Sequence, residues 1–505
     1  MAALTEILTS NYGWKIFAII SIIIMVYKFL ERKQIFIAFK DTEFYYHFLA
    51  WKLAFKVVLS GFDSSLPMME MLNHMYEKGY FAFNYIVIKY MFLFSPDHIQ
   101  ILLSDPECIN KSIMYNGFKN WIEDSVFMRK DGAHRERKKL LLPAFRLNVL
   151  HSFLPIIENN ARELVKVLKE NENVFIVPAI KHCGFKILYD TVLGMKGDSI
   201  FRKSSSYHGK LIDATFHPVA DRAINILILF DFLFYLTPKG RKFRKNKKIL
   251  RKITREIIAE KIRLREGEES TIENNENPKS ILDFLLDASE NNPELTVENI
   301  CEEIEFFLGA AYDTTSLTVS WTLYLLSQNE DIQKKVHQEL DAIFVTDTDR
   351  FIKNEDLYEM KYMECVIKET MRLYPPAPMI SRKINKSIVL GDKVYSKDWI
   401  YIVSIFHLHR NPNVYENPDI FDPDRFLPEN SSKRKPYSYI PFSAGPRMCL
   451  GYRLAMMEIK LILATILRNS RVECGDETIS LYFRVTLNPS RPLKLRFKPR
   501  KTSFL

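Results

Sequence analysis

The sequence predicts a mainly α fold with a minor β part, a single large domain behind an N-terminal membrane anchor. Three observations carry this. Glycine is scarce, 16 of 505 residues, so turns and bulges are few and helix is favoured. Apolar residues recur at helical spacing through 150–265 and again in blocks near 296–326, 331–344, 355–373 and 451–467. Alternation is confined to short runs, within 85–104 and 480–498. With 47% hydrophobic and 26% charged residues the composition is globular, which excludes disordered, collagenous and low-complexity classes.

The first element is the apolar run at 7–30, ILTSNYGWKIFAIISIIIMVYKFL, uncharged between 16 and 27. It is long enough to span a bilayer, which takes about 20 residues. Lys15 and Lys28 can snorkel at its ends, and Trp14 and Tyr27 suit the membrane interfaces. The basic flank Glu31-Arg32-Lys33 places the following chain on the cytosolic side. No small-residue cleavage site follows the run, so 1–33 is expected to be a signal anchor and 34–505 the cytosolic domain. Residues 85–104 then read as two short strands and the start of a helix. The acidic, Asn-rich stretch 266–280 reads as a surface loop. Thr296 is the expected N-cap of a helix running to about Leu326, roughly 45 Å long. Two further helical blocks follow. Residues 375–430, rich in Pro, Asn and Asp, read as loops and short strands. A last helix covers 451–467, and 480–498 reads as strands.

The net charge of +10 is local. Residues 239–265 hold 13 Lys/Arg against 2 Asp/Glu, with Phe243, Leu250, Ile253 and Ile257 on one helical face. A nucleic-acid surface is therefore not expected. The segment follows the apolar run 226–236, ILILFDFLFYL, which is too short to span a membrane. The two read either as an apolar dip with a basic collar on a lipid surface, or as a core segment followed by a solvated helix. The six cysteines, at 108, 183, 301, 365, 449 and 474, include no C-x-x-C pair. No disulfide framework, zinc ribbon or iron–sulfur site is expected. Five read as small buried hydrophobes.

Cys449 is the exception. It lies in PFSAGPRMCLGYRLAMMEIK at 441–460, with Phe442, Gly445, Arg447 and Gly451 around it. The two glycines permit a tight bend beside a planar ligand. A cysteine just before a helix meets free N–H groups and the positive helix end, which are expected to lower its pKa. Phe442 can shield the sulfur from water, and Arg447 can pair with a carboxylate of the ligand. These five residues, spaced F-x-x-G-x-R-x-C-x-G, resemble the haem-binding loop of the cytochrome P450 family.

Further matches stand along the chain. Glu369 and Arg372 in KETMRLYPP, with Arg425 in DPDRFLPE, resemble the family's structural Glu-Arg-Arg triad. FFLGAAYDTTS places Asp313, Thr314 and Thr315 like the family's oxygen-activating acid–alcohol motif, with Ala311 where glycine is frequent. Such a pair inside an apolar helix is expected to disturb the backbone ladder and relay protons. AHRERKKLLLPAF at 133–145 resembles the helix crossing the proximal haem face, with Arg137 at the propionate-binding position and Ala133 at that of the usual Trp. Arg382, in PMISRK, matches another propionate contact. Arg135, Lys138, Lys139 and Arg453 would form the basic patch that docks a reductase. DPDRFLPEN, PPAP and LLLPAF are similar to the family-4 branch. Many members of that branch attach the haem through a Glu where this chain has Ala310, so non-covalent haem b is expected. Phe306, Ala310 and Met379 would line the substrate pocket.

The resemblance implies the cytochrome P450 fold and a haem-thiolate monooxygenase of the endoplasmic reticulum membrane, with Cys449 as axial iron ligand. It would oxidise an apolar substrate: a fatty acid, another long-chain lipid or a foreign compound. NADPH electrons would come through a separate cytochrome P450 reductase, with cytochrome b5 as a further partner, since no G-x-G-x-x-G fingerprint occurs. Two alternatives remain open on the residues: a reductase-independent haem-thiolate rearrangement enzyme, and a non-catalytic haem-binding membrane protein.

Overall fold

Five consecutive backbone pairings join two distant parts of the chain into the sheet that walls the site. Residues 88–93 form β2, which runs parallel to a strand contributed by 399–404, in the register Lys89↔Trp399 to Leu93↔Val403. Labelled in chain order, the strands are β1 (Tyr80–Tyr85), β2 (Ile88–Leu93), β3 (Met379–Lys383) and β4 (Trp399–Ser404), arranged β1-β2-β4-β3. Ile400 to Ser404 is a buried run, and Met91, Leu93, Tyr401 and Val403 pack together beneath the sheet. The antiparallel β3–β4 pair sets Arg382 opposite Tyr401.

The computed structural model describes residues 76–500 apart from short stretches, the longest being 196–204, 225–229 and 269–277. All lie within the unit Val57–Leu505. The expected anchor at 1–33 falls outside the described residues, among which no helix is long and apolar enough to cross a membrane.

Helices make up the rest of the framework: α1 (Asp131–Leu141), α2 (Ile176–Leu188), α3 (Ser205–Ile224), α4 (Pro238–Glu268), α5 (Val297–Gln328), α6 (Lys361–Leu373) and α7 (Tyr452–Leu467). Thr296 caps α5 as the sequence indicates. Its hydroxyl accepts from Asn299 N–H, and the Asn299 side chain accepts in return from the Thr296 N–H at 3.0 Å. Helix α5 is buried along most of its length and packs on α2, α6 and α7. Three of its interior hydroxyls cost little, because Thr318, Ser320 and Thr322 each donate to the carbonyl four residues back. Trp321 stacks on Tyr374 at 4.3 Å between ring centres, fixing α5 against the end of α6. The 355–373 block is two helices, broken at Met360. The 480–498 alternation resolves into Leu481–Phe483, Leu487–Pro489 and Lys494–Pro499. The architecture is mainly α with a small β part, as predicted.

Candidate active site

The loop 441–451 brings Cys449 to the wall of a cavity of 350 Å³. Cys449 N–H donates to the Phe442 carbonyl at 2.9 Å, closing the loop. Gly445 has φ +70°, and a Cβ there would sit 1.9 Å from the Leu103 carbonyl oxygen, so only glycine fits. Gly451 is different. Its φ is −90°, and a Cβ would meet nothing nearer than Phe145 at 3.7 Å. The expectation that both glycines serve the bend thus applies to Gly445 alone. The thiol opens onto the cavity. The protein packed around it raises its pKa, outweighing the Gly451 N–H and Lys138, so the expected lowering is not produced by the chain itself. Coordination to a metal would have to hold the thiolate.

Helix α5 forms the facing wall. Phe306, Ala310, Ala311 and Thr314 line the cavity, with Met379 and Arg382 from β3 and Phe442 from the cysteine loop. Phe306 is stacked on Phe127, ring centres 5.1 Å apart. The predicted disturbance of the helix is not present. Thr314 and Thr315 donate back to Ala310 and Ala311 at 2.9 and 2.8 Å, and α5 runs unbroken.

Asp313 is buried behind this wall and does not line the cavity. Its carboxylate lies 2.6 Å from Lys181 Nζ on α2 and accepts from Thr486 Oγ1 at 2.6 Å. Lys181 in turn lies 3.3 Å from Asp213 on α3, which also accepts from the Tyr312 hydroxyl and stands 3.7 Å from His217 Nε2. Burial opposes the charge on Lys181, but Asp313 and Asp213 outweigh it and raise its pKa. No local pattern points to Lys181 or Thr486, since both meet Asp313 only through tertiary packing.

Cations gather on the remaining wall. Arg382 is buried and donates to its neighbour's carbonyl, Ser381 O, at 2.9 Å. Arg447 donates to the carbonyls of Ile109, Val126 and Phe127, and burial beside Arg382 pushes its pKa down to about 10. Arg137 departs from its assignment. It is buried against Glu303, Nη1 to Oε1 2.8 Å, and does not line the cavity. The α1 side chains that do are His134 and Lys138, one turn apart, while Ala133 is exposed. The sequence assignment was one residue out of phase, and one residue turns a side chain by about 100° on a helix. Lys138, expected on a basic surface patch, donates instead to Pro446 O at 2.8 Å; Arg135, Lys139 and Arg453 are exposed. Among the described residues lining the cavity, Glu458 is the sole carboxyl group, and burial pushes its pKa up to about 8. A thiol on one wall, a wall of apolar side chains opposite, and a cationic margin without an ionised acid fit a planar, dianionic metal ligand such as haem.

Glu369, Arg372 and Arg425 meet away from the cavity. Arg372 donates to Glu369 through Nε and Nη2, at 2.7 and 2.8 Å, with both side chains fully buried. Arg372 also donates to the carbonyls of His409, Pro418 and Ile420, and Arg425 Nε stands 3.6 Å from Glu369.

Comparison with known proteins agrees with this geometry. The family description "Cytochrome P450" matches residues 57–497. Cytochrome P450 4c3 of Drosophila melanogaster is 33% identical over 434 residues, covering 81% of this chain and 79% of the relative. Cytochrome P450 4V2 of Mus musculus is 32% identical over 425 residues, covering 81% and 80%. Among solved structures, retinoic acid-bound cyanobacterial CYP120A1 superposes with a TM-score of 0.70 at 20% identity, over 84% of this chain and 92% of that one.

Proposed function

The chain belongs to the cytochrome P450 family, a haem-thiolate monooxygenase taking electrons from a redox partner, and within that family we propose a microsomal, family-4-type enzyme. Its substrate would be a fatty acid, another long-chain lipid or an apolar foreign compound. The observation that carries the reading is the position of Cys449 on a largely apolar cavity whose facing wall is α5, with Thr314 on the surface and Asp313 directly behind it.

When bound, the haem supplies the binding and activation of dioxygen. The chain's own residues have the following parts. Cys449 would hold the haem iron through its thiolate, with Phe442 covering the sulfur. Arg382, Arg447 and Lys138 would hold the propionates, Lys138 taking the position that the sequence assigns to Arg137. Phe306, Ala310 and Met379 position the substrate and exclude water. Asp313 takes protons from the Lys181–Asp213 side and passes them to the Thr314 hydroxyl. Glu369, Arg372 and Arg425 brace the core beneath the cysteine loop. NADPH electrons enter through cytochrome P450 reductase, docked on Arg135, Lys139 and Arg453, with cytochrome b5 as a second donor.

Residues 1–33 would anchor the chain in the endoplasmic reticulum membrane, with 34–505 in the cytosol. A second lipid contact is supported by the exposed Phe230, Phe232 and Leu236, which immediately precede the basic helix α4. The test is a reduced-CO spectrum followed by turnover of a fatty-acid panel with NADPH and reductase, read by mass spectrometry. A thiolate-type band that disappears in Cys449→Ala, together with oxygenated products, is expected. Absence of that band, or full activity in Cys449→Ala, would refute the reading.

A further inference from the structure

Val126 ties two walls of the cavity together. Its N–H donates to Glu303 Oε1 on α5 at 2.7 Å, and its carbonyl accepts from Arg447 Nη1 of the cysteine loop at 3.1 Å. The next residue, Phe127, lays its ring on Phe306. Trp121, Ile122, Val126 and Phe127 all line the cavity. Trp121 and Ile122 end the short helix Asn116–Ile122, and beyond it the chain runs in turns, Ser125 N–H to Ile122 O and Met128 N–H to Ser125 O. Turns of this kind satisfy some backbone groups locally but do not fix where the segment sits against its neighbours.

The fixing comes from three carboxylates on one stretch of α5. Glu302 Oε2 accepts the Asp124 N–H at 2.6 Å, Glu303 Oε1 accepts the Val126 N–H, and Glu305 Oε2 accepts the Trp121 Nε1–H at 2.7 Å. Glu303 and Glu305 are fully buried, and each is matched by an arginine from another helix. Arg137 Nη1 on α1 lies 2.8 Å from Glu303, and Arg251 Nε on α4 lies 2.7 Å from Glu305. Those ion pairs alone would balance the charge. The carboxylates have acceptor sites left over, and these go to segment 121–126. Hydrogen bonds to an ionised acceptor are roughly twice as strong as neutral ones, so they anchor a segment that has no ladder. Trp121 is also pressed against α5, since a Cβ at Gly309 would come within 3.2 Å of its ring.

We propose that Glu303, with Glu302 beside it, is a positioning residue that sets the place of the Val126–Phe127 wall and thereby the orientation of the bound substrate. The proposal rests on the haem-monooxygenase reading of the cavity. Glu303 does not line the cavity itself and acts through the Val126 N–H. Release of that N–H frees Phe127 to leave Phe306, and a substrate packed on the ring loses a fixed surface. A displacement of about 1 Å at such a wall is enough to misplace the reacting carbon.

The experiment keeps the charge balanced, because Glu303→Gln alone would leave Arg137 buried without a partner. Full-length holoenzyme is compared with two double variants. Arg137→Met with Glu303→Gln keeps an acceptor for the Val126 N–H; Arg137→Met with Glu303→Met is of similar size and has none. Hydrogen–deuterium exchange of the peptide spanning 124–128 is measured on each, with the spectral dissociation constants of imidazole and of 1-phenylimidazole, whose ring extends toward the wall. In the Glu303→Met protein exchange should accelerate roughly 10- to 100-fold, the worth of one hydrogen bond to a charged group. Its affinity for 1-phenylimidazole should fall roughly 3- to 10-fold, the cost of ordering a loosened side chain, with imidazole unchanged. The Glu303→Gln protein should stay near the wild type in both. Should the Glu303→Met protein not accumulate as holoenzyme, Glu302→Met and Glu302→Gln are compared in the same way at the half-buried Asp124 contact. Unchanged exchange overturns the proposal. So does faster exchange with unchanged 1-phenylimidazole affinity, equal weakening of both ligands, or equal effects in the Gln and Met proteins, each of which leaves Glu303 a purely structural part. A wild-type protein without a thiolate-type CO band refutes the monooxygenase reading instead, so the two failures are told apart.

Discussion

Lys181 and Asp313 form an ion pair across the contact of α2 and α5, with Nζ 2.6 Å from Oδ1 and both side chains largely withdrawn from water. The pair holds the carboxyl adjacent to Thr314 away from the cavity and connects it to Asp213 and, through it, to the partly exposed His217. A buried pair is costly to break from one side, about 3–5 kcal/mol, because the remaining charge is left without compensation. Lys181→Met is therefore expected to lower stability by that order, and Lys181→Met with Asp313→Asn to recover most of it. Urea midpoints of the wild type, Lys181→Met, Asp313→Asn and the double variant measure the coupling. The Lys181 pKa is raised above its unfolded value of about 10.4, so the contribution is complete through neutral pH and is lost only as pH climbs through the raised value. On turnover, Asp313→Asn is expected to slow product formation by at least about 100-fold with substrate affinity little changed. Equal rates would remove Asp313 from the proton path.

The Glu369–Arg372 pair makes a different kind of prediction. Both side chains are fully buried, and Arg372 holds three carbonyls from 409–420 besides the carboxylate. Glu369→Gln leaves the guanidinium charge unmatched and is expected to cost about 3–5 kcal/mol. Because the triad stands apart from the cavity, the loss should appear as poor accumulation of holoenzyme rather than altered selectivity. Haem content per protein and product ratios of whatever folds separate the two.

How far the sequence reached depended on whether a feature is local. Thr296 and Asn299 close a capping box within four residues, and Cys449 sits in a loop whose φ requirement at Gly445 is written beside it, so both could be read directly. Asp313 and Thr314 were found for the same reason. What Asp313 does was not legible, because its partners Lys181 and Thr486 come from α2 and the chain's end. The Arg137 assignment failed on phase. A basic run offers cations at 135, 137, 138 and 139, and only tertiary packing shows that 134 and 138 line the cavity while 137 is buried against Glu303.

Gly445 and Gly451 separate backbone need from mere neighbourhood. Ala at 445 must adopt φ +70° and place its Cβ 1.9 Å from a carbonyl oxygen that belongs to backbone, so the loop has to move. Gly445→Ala is expected to abolish the thiolate-type CO band or cut it severely. Gly451→Ala finds ordinary contact with Phe145 and should retain most of the band. Equal losses in both would mean that the loop tolerates no change for reasons other than this clash.

His409 sets an acid limit. It is fully buried, its Nε2 accepts the Ile440 N–H at 2.9 Å, and its ring stacks on Tyr439. Burial, followed by the nearby Arg372 charge, pushes its pKa down to about 3. The folded state therefore refuses a proton that the unfolded chain accepts below about pH 6.5. Stability contributed by the neutral ring is full above that pH and is lost progressively as pH falls toward 3, by roughly 3–5 kcal/mol in all. Urea midpoints at pH 7.5, 6 and 5 should decline in the wild type. His409→Gln should start lower and decline less. Parallel declines would place the acid sensitivity elsewhere.

Ala310 decides how the haem is held. Its methyl group lies on the α5 wall of the cavity, where a branch member with covalent haem carries a carboxylate. The one carboxyl lining the cavity among the described residues, Glu458, belongs to α7 and not to α5. No ester to the macrocycle can form from the position of Ala310, so acid–acetone extraction is expected to strip the wild-type protein of haem completely. Ala310→Glu puts an acid back on that wall, and after turnover a fraction of the haem should stay with the protein through extraction and denaturing chromatography. Haem retained by the wild type would refute the non-covalent assignment. Complete extraction from both proteins would leave that assignment standing and show that position 310 is too far from the macrocycle to bond to it.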